Sequence, residues 1–254
     1  MILKAFDSTS KKVFTLIMLA EAALFLIVWL LSSFSLIPTP LEILHAWHNL
    51  AQNEGMLVEL WASSVTLAKS IVLTSLISFG LAYLATAAIF KPAVTWLTAF
   101  RFLGFAGITF FFTMWASDGA TLKMMLLTFG MSVFMLTTAL SIVNSTTQEE
   151  IDYARTLGLD GWTITWEIVV RGKLDQALDA IRQNAAIGWV MLSMVEGLVR
   201  SEGGIGLLLL TQSKYLNLSA IAAIQITILV YGLLQDVFLR WIRTVICPYI
   251  VKEN

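Results

Sequence analysis

The sequence predicts an all-α, polytopic membrane protein with about six transmembrane helices, and three observations carry that expectation. Hydrophobic residues fill 58% of the 254 positions and charged residues only 13%, whereas a soluble domain is roughly 45 to 50% apolar. The apolar residues fall in runs long enough for a helix, rising about 1.5 Å per residue, to cross a hydrocarbon layer about 30 Å thick. Short charged or Gly- and Pro-bearing stretches separate the runs, with no internal repeat and no low-complexity linker, so residues 1–254 read as a single transmembrane domain.

The first span is expected at about Val13 to Phe34. "MILKAFDSTSKK" precedes it without a small-residue cleavage site, which reads as a retained span and not a removed signal peptide. Glu21 lies inside this span, where a carboxylate points to contact with a neighbouring span. Next comes "PTPLEILHAWHNLAQNEGMLVELW", residues 38–61, whose apolar positions recur at helical spacing as in a helix lying at an external interface. His45 and His48 stand three apart in it, without the carboxylate or Cys that would complete a metal site.

The second span is expected at about Ser63 to Phe90, ended by "KPAVTW", and the third at about Val94 to Trp115. The fourth covers about Leu122 to Val143, the fifth about Ala177 to Val199 and the sixth about Leu218 to Trp241. Ser75 and Ser78, Thr109 and Thr113, and Gln183 and Asn184 are candidates to line a polar path. Ser and Thr serve equally as glue between membrane helices.

Orientation follows from Lys and Arg. Lys4, Lys11, Lys12, Lys91, Arg101, Arg155, Arg171, Lys173, Arg182, Arg240, Arg243 and Lys252 collect at one set of span ends, and Lys69, Lys123, Arg200 and Lys214 at the other. The bias places both termini and a loop at about 144–175 in the cytoplasm. The net charge of −1 points to no nucleic-acid partner, and Cys247, the single cysteine, excludes an internal disulfide.

Within that loop lies "EEIDYARTLGLDGW", residues 149–162. Gln148, Glu149, Glu150 and Asp152 put acceptors and negative charge at the start of a short helix, where exposed N–H groups favour them. Ile151, Ala154 and Leu157 follow at spacing three as a narrow apolar stripe, and Gly158 suits a left-handed helix stop. Asp160 can cap a second helical stretch carrying Trp162 and Trp166 on one face. The loop therefore reads as a compact helix-turn-helix knob, more than a connector needs.

"DYARTLGLDGW" resembles the cytoplasmic EAA loop of binding-protein-dependent ABC importer permeases of the type I fold. Asp152, Tyr153 and Ala154 occupy the E-A-A places, Gly158 matches the Gly, and Ile168 to Arg171 occupy the closing positions, with Val170-Arg171 where the family has Leu-Pro. "VEGLVRSEGGIGLLLL", residues 195–210, is similar to the stretch after the fifth span in the nitrate, sulfonate and taurine branch, and "SLIPTPLEIL" to that branch's entry to the outer helix. The third span keeps an Arg but lacks the prolines usual in the branch.

The resemblance implies a permease subunit in the bacterial inner membrane that works with a second permease subunit, identical or related. It also implies two cytosolic ATPase subunits that bind ATP and Mg, and an extracytoplasmic solute-binding protein. Asp152, Tyr153, Ala154, Arg155, Leu157, Gly158 and Trp162 would form the ATPase-coupling loop. Glu196, Arg200, Glu202, Gly203, Gly204 and Gly206 would form an external gate or contact the binding protein. The implied solute is a small anion or organic molecule such as nitrate or a sulfonate.

The chain itself carries no phosphate-binding G-x-x-x-x-G-K-[ST] loop, no H-E-x-x-H and no G-x-S-x-G. A transport subunit without an ATPase site, a cofactor or a metal is therefore expected. The competing reading is a secondary transporter or channel not driven by ATP, which calls for intramembrane coupling charges or broken helices.

Overall fold

The computed structural model describes residues 11–31 and 37–248, and every regular element among the described residues is a helix, without strands. The helices are α1 Lys11–Leu31, α2 Pro40–Asn53, α3 Met56–Leu84, α4 Lys91–Leu97, α5 Phe105–Trp115, α6 Gly119–Asn144, α7 Gln148–Thr156, α8 Gly161–Ile164, α9 Leu174–Leu198, α10 Ile205–Lys214 and α11 Leu218–Ile246. Three of them, α3, α6 and α11, are long and apolar enough to cross a membrane. A fourth span results if the bent pair Lys91–Phe102 and Gly107–Trp115 counts as one. At 25 residues α9 has the length, but Asp175, Asp179, Arg182 and Glu196 interrupt its apolar character. Helix α1 occupies most of the first expected span, whose last residues, 32–34, lie outside the described residues.

The third expected span is not one straight helix. Leu103 and Gly104 take extended backbone, with ψ of 127° and 140°, after a 3₁₀ turn at Thr98–Phe102, and the helical pieces on either side are bent by 114° relative to each other. Residues 94–115 are apolar enough to read as one run, and hydropathy carries no trace of the bend.

Helix α2 departs from a free interfacial helix. Thr39 and Glu42 form a reciprocal capping box at its start, while Ile43 and Leu50 are buried. The Trp47 indole N–H donates to the Thr227 hydroxyl of α11 at 3.1 Å. Gly55, at φ +67°, separates α2 from α3. His45 and His48 are exposed on α2, and Glu21 is exposed on α1.

Helices α3, α6 and α9 pack mutually around Leu67, Leu127, Met131, Trp189 and Leu192. Lipid is as apolar as these side chains, so close packing and hydrogen bonds must hold such helices together. Ser63, Ser70, Thr74 and Ser78 supply both, since intervals of seven, four and four put these small, wholly buried residues on one face of α3. The Ser78 hydroxyl donates to the Ser132 carbonyl at 3.0 Å, and the Thr74 hydroxyl to the Thr128 carbonyl at 3.4 Å. Ser78 therefore joins α3 to α6 and is not free to line a path. Ser75, one residue beyond Thr74, returns its hydroxyl to the Ile71 carbonyl of its own helix.

At the start of α6, hydrogen bonds from the Thr121 hydroxyl and backbone N–H hold the exposed Asp118 carboxyl below the usual carboxylate range. A depressed carboxylate stabilises the cap above its unfolded pKa, and the contribution is lost as pH falls through the folded one.

Replacing Ser78 separates glue from lining. Ser78→Ala removes one hydrogen bond and should cost about 0.6 kcal/mol, the average for such bonds between membrane helices. Ser78→Leu overpacks the seam and should cost about 1–3 kcal/mol. Unfolding of the detergent-solubilised protein measures both, and equal stability of Ser78→Leu and wild type would refute the seam.

Candidate functional site

The charged loop folds as a knob joined to the helical bundle. Thr147 and Glu150 form a capping box at the start of α7: the Glu150 N–H donates to the Thr147 hydroxyl at 3.2 Å, and the Thr147 N–H to the Glu150 carboxylate at 2.8 Å. Its far end closes as a Schellman motif, in which the Leu159 N–H donates to the Ala154 carbonyl and the Gly158 N–H to the Arg155 carbonyl. Gly158 has φ +79°, the left-handed conformation that glycine adopts at least cost. The expected apolar stripe divides: Ala154 is buried and Ile151 half-buried, while Leu157, in the C-cap position, faces outward. Asp152 and Arg155 pair with each other at the surface, 3.1 Å apart.

Beyond the turn, Asp160 precedes α8 and accepts from the Thr163 hydroxyl, and the helix widens into a π-helical turn over Thr165–Arg171. Ile164 and Val169 are buried, and the Thr165 hydroxyl lies 3.2 Å from that of Thr86 at the end of α3. Lys173 reaches back to Glu150 at 3.7 Å and to the Ser145 carbonyl at 3.4 Å. These contacts bind the knob to α3, α6 and α9. Tyr153, Leu157, Trp162 and Trp166 remain more than half exposed, large apolar side chains left uncovered on a charged segment.

The same end of the bundle carries an ion network between α9 and α11. Arg182 bridges Asp179 at 3.0 Å and Asp236 at 2.6 Å, Arg243 meets Asp175 and Asp179, and Arg240 meets Asp236.

The opposite end is held by a buried clamp. Glu196 of α9 is fully buried; it accepts from the Ser63 hydroxyl at 2.7 Å, from the Lys123 ammonium at 3.2 Å and from the Gly206 N–H at 2.8 Å. Lys123 also donates to the Gly203 carbonyl, the Gly204 N–H donates to Glu59, and the Ile205 N–H to the Ser63 hydroxyl. Three helices thus converge on the first turn of α10, whose N–H groups have no partner within their own helix. Glycine is required here: Gly203 and Gly204 have φ of +67° and +112°, and a Cβ on Gly206 would lie 2.4 Å from the Ser193 carbonyl oxygen.

Glu196 is therefore an internal brace and not a surface offered to a docking protein, because its oxygens are consumed inside the bundle. Arg200 and Glu202 are exposed in the turn beside it. Sequence reasoning missed Glu59, Ser63 and Lys123 as partners in the clamp. Lys123 had a signal, a lone cation one residue inside an apolar run, whereas the Ser63 and Glu59 contacts span more than 130 positions of chain.

The residues expected to line a path separate. Thr109 and Thr113 return their hydroxyls to carbonyls of α5 itself. Gln183 and Asn184 instead join Arg101, Thr137 and Thr138 around a pocket of about 480 Å³ beside the bend after Phe102.

No family model matches the chain. It is similar to the taurine transport system permease protein TauC of Escherichia coli (strain K12), 24% identical over 135 residues, or 53% of this chain and 49% of that protein. The chain thus spans about half the length of this relative.

Two substitutions test the clamp. Lys123→Met leaves Glu196 buried without its counter-charge and should destabilise the protein by about 3–5 kcal/mol, and Lys123→Met with Glu196→Gln should recover a large part of that loss. Unfolding midpoints in detergent read both, and a neutral Lys123→Met would show the pair to be dispensable.

Proposed function

We propose that this chain is the membrane-spanning permease subunit of an ABC importer, coupled through the α7–α8 knob to ATPase subunits that supply the energy. The observation that carries the reading is the knob itself, a capped helix, a glycine stop and a second helix that leave Tyr153, Leu157, Trp162 and Trp166 exposed while the neighbouring Glu150 and Thr165 side chains tie it to Lys173 and Thr86 of the bundle. Large apolar side chains left uncovered on a charged segment are suited to a protein partner. The similarity to a transport-system permease supports the same reading, as do the apolar spans.

In this mechanism two such permease subunits stand side by side, and each knob seats in a cleft of one cytosolic ATPase. ATP binding draws the ATPases together, the knobs follow, and the bundles rock between inward-open and outward-open arrangements as near-rigid bodies. Asp152 and Arg155 keep the exposed end of α7 helical, and Gly158 sets the angle between the two short helices. The knob's links through Lys173, Thr165 and Glu150 pass its displacement to α9, α3 and α6. An external binding protein delivers the solute, a small anion or organic molecule such as nitrate or a sulfonate, at the end that carries Arg200 and Glu202.

Leu157→Asp and Trp162→Asp place charge at exposed positions without entering the core. Purified with its partners, wild type should bring down an ATPase, and either variant should retain at least tenfold less of it while unfolding at the same temperature. Full retention of the ATPase by both variants would remove the knob from the coupling role. Absence of an ATPase from the wild-type complex, with solute flux intact, would favour a transporter not driven by ATP.

A further inference from the structure

Two charges of opposite sign stand at mid-depth on the outside of the bundle. Glu21 is ten residues from either end of α1, about 15 Å along its axis; Lys69 is 13 residues from the start of α3 and 15 from its end, about 20 and 22 Å. Both side chains are exposed, and neither takes part in an ion pair among the described residues. Lys123 and Glu196 show the contrast, each satisfied by the other inside the bundle. A hydrocarbon layer is about 30 Å thick, so the middle of a spanning helix is the level farthest from water.

Their neighbours decide what covers them. Trp61, Val65, Val72 and Leu76 recur at helical spacing on either side of Lys69 and share its face of α3, with Trp61, Val72 and Leu76 more than half exposed. On α1, Met18 and Leu24 flank Glu21 three residues away and are also more than half exposed. Faces so apolar do not line a water-filled path. A single charge turned towards lipid at this depth is costly, and neither side chain is long enough to carry its charge from mid-depth to the membrane surface. Each face therefore calls for cover by protein that brings the opposite charge. The Trp29 indole N–H donates to the Pro38 carbonyl at 3.2 Å and ties the far end of α1 to its own chain, leaving the level of Glu21 open to a neighbour.

Resting on the permease reading, we infer that the second permease subunit is another copy of this chain, and that Glu21 of each protomer meets Lys69 of its partner at the middle of the membrane. Two-fold pairing is self-complementary, so a contact made once is made twice, and both charges on both copies are neutralised by one arrangement. A different subunit would have to carry its own base and acid at the same two levels; a second copy already carries them. The pairing also gives α1 a role, as the arm by which each protomer holds the other.

The test is capture of one tagged form of the full chain by a differently tagged form, co-expressed and extracted in mild detergent. Wild-type forms should capture each other. Glu21→Lys in both forms, or Lys69→Glu in both, sets like charges together and should lower recovery at least about tenfold. Glu21→Lys in one form with Lys69→Glu in the other restores both contacts across the pair, and only across it, so most of the recovery should return. Wild-type forms that do not capture each other, single variants that recover like wild type, or a mixed pair that is not rescued would each overturn the assignment. A second measurement avoids charge reversal: Glu21→Cys in one form and Lys69→Cys in the other, both with Cys247→Ser, should give a disulfide-linked dimer on oxidation in the membrane, and its absence would count against the contact. Capture between copies needs no ATPase, so a complex without one would count against the importer reading alone and leave this result standing.

Discussion

The Lys123–Glu196 pair fixes the arrangement on which the rest of the bundle depends. In hydrocarbon no water is available to satisfy a charge or a free N–H, so every polar group carried inward must find a partner there. Glu196 answers three demands together: the ammonium of α6, the hydroxyl of Ser63 on α3 and the Gly206 N–H at the start of α10. Removing one partner strands the others. The clamp therefore specifies how α3, α6, α9 and α10 meet at one end, and the Ser63–Ser78 seam carries that register along α3.

At the other end the polar groups are more exposed and the connections are of another kind. Arg182, Asp236, Arg243 and Asp179 join α9 to α11, while Lys173 and Thr165 join the knob to the bundle. Charges at this depth are partly solvated, so each contact is worth less than those of the clamp. A knob so fastened, with aromatic side chains turned outward, is suited to convert a push from a partner into displacement of whole helices.

Much of this was legible in the sequence, and what was not has physical causes. Long apolar runs marked α3, α6 and α11, and the loop declared itself through acidic residues before Ile151, a Gly at 158 and Asp160 beyond it, because caps and stops are local chemistry. Leu157 was read as one apolar stripe with Ile151 and Ala154, but α7 ends one residue before it, and in the C-cap position it is exposed while Ala154 is buried. The bend after Phe102 left no mark because apolar residues favour lipid whether or not the helix is straight. Glu196 looked like a surface carboxylate beside glycines; only the folded chain brings Ser63 and Lys123 to it. Asn184 and Gln183 were recognised as polar interruptions of α9, whereas Arg101, the cation of their pocket, reads from the sequence as an ordinary span-end arginine.

The central claim is that this chain is a permease subunit driven by separate ATPases. Native mass measurement of the complex, extracted in mild detergent from a membrane that contains its natural partners, tests it most directly. The account predicts one assembly holding two permease-class chains, at least one of them this 28.1 kDa chain, and two ATPase subunits. An assembly that contains this chain alone or in multiples, with no ATPase at any detergent concentration that preserves transport, would contradict it.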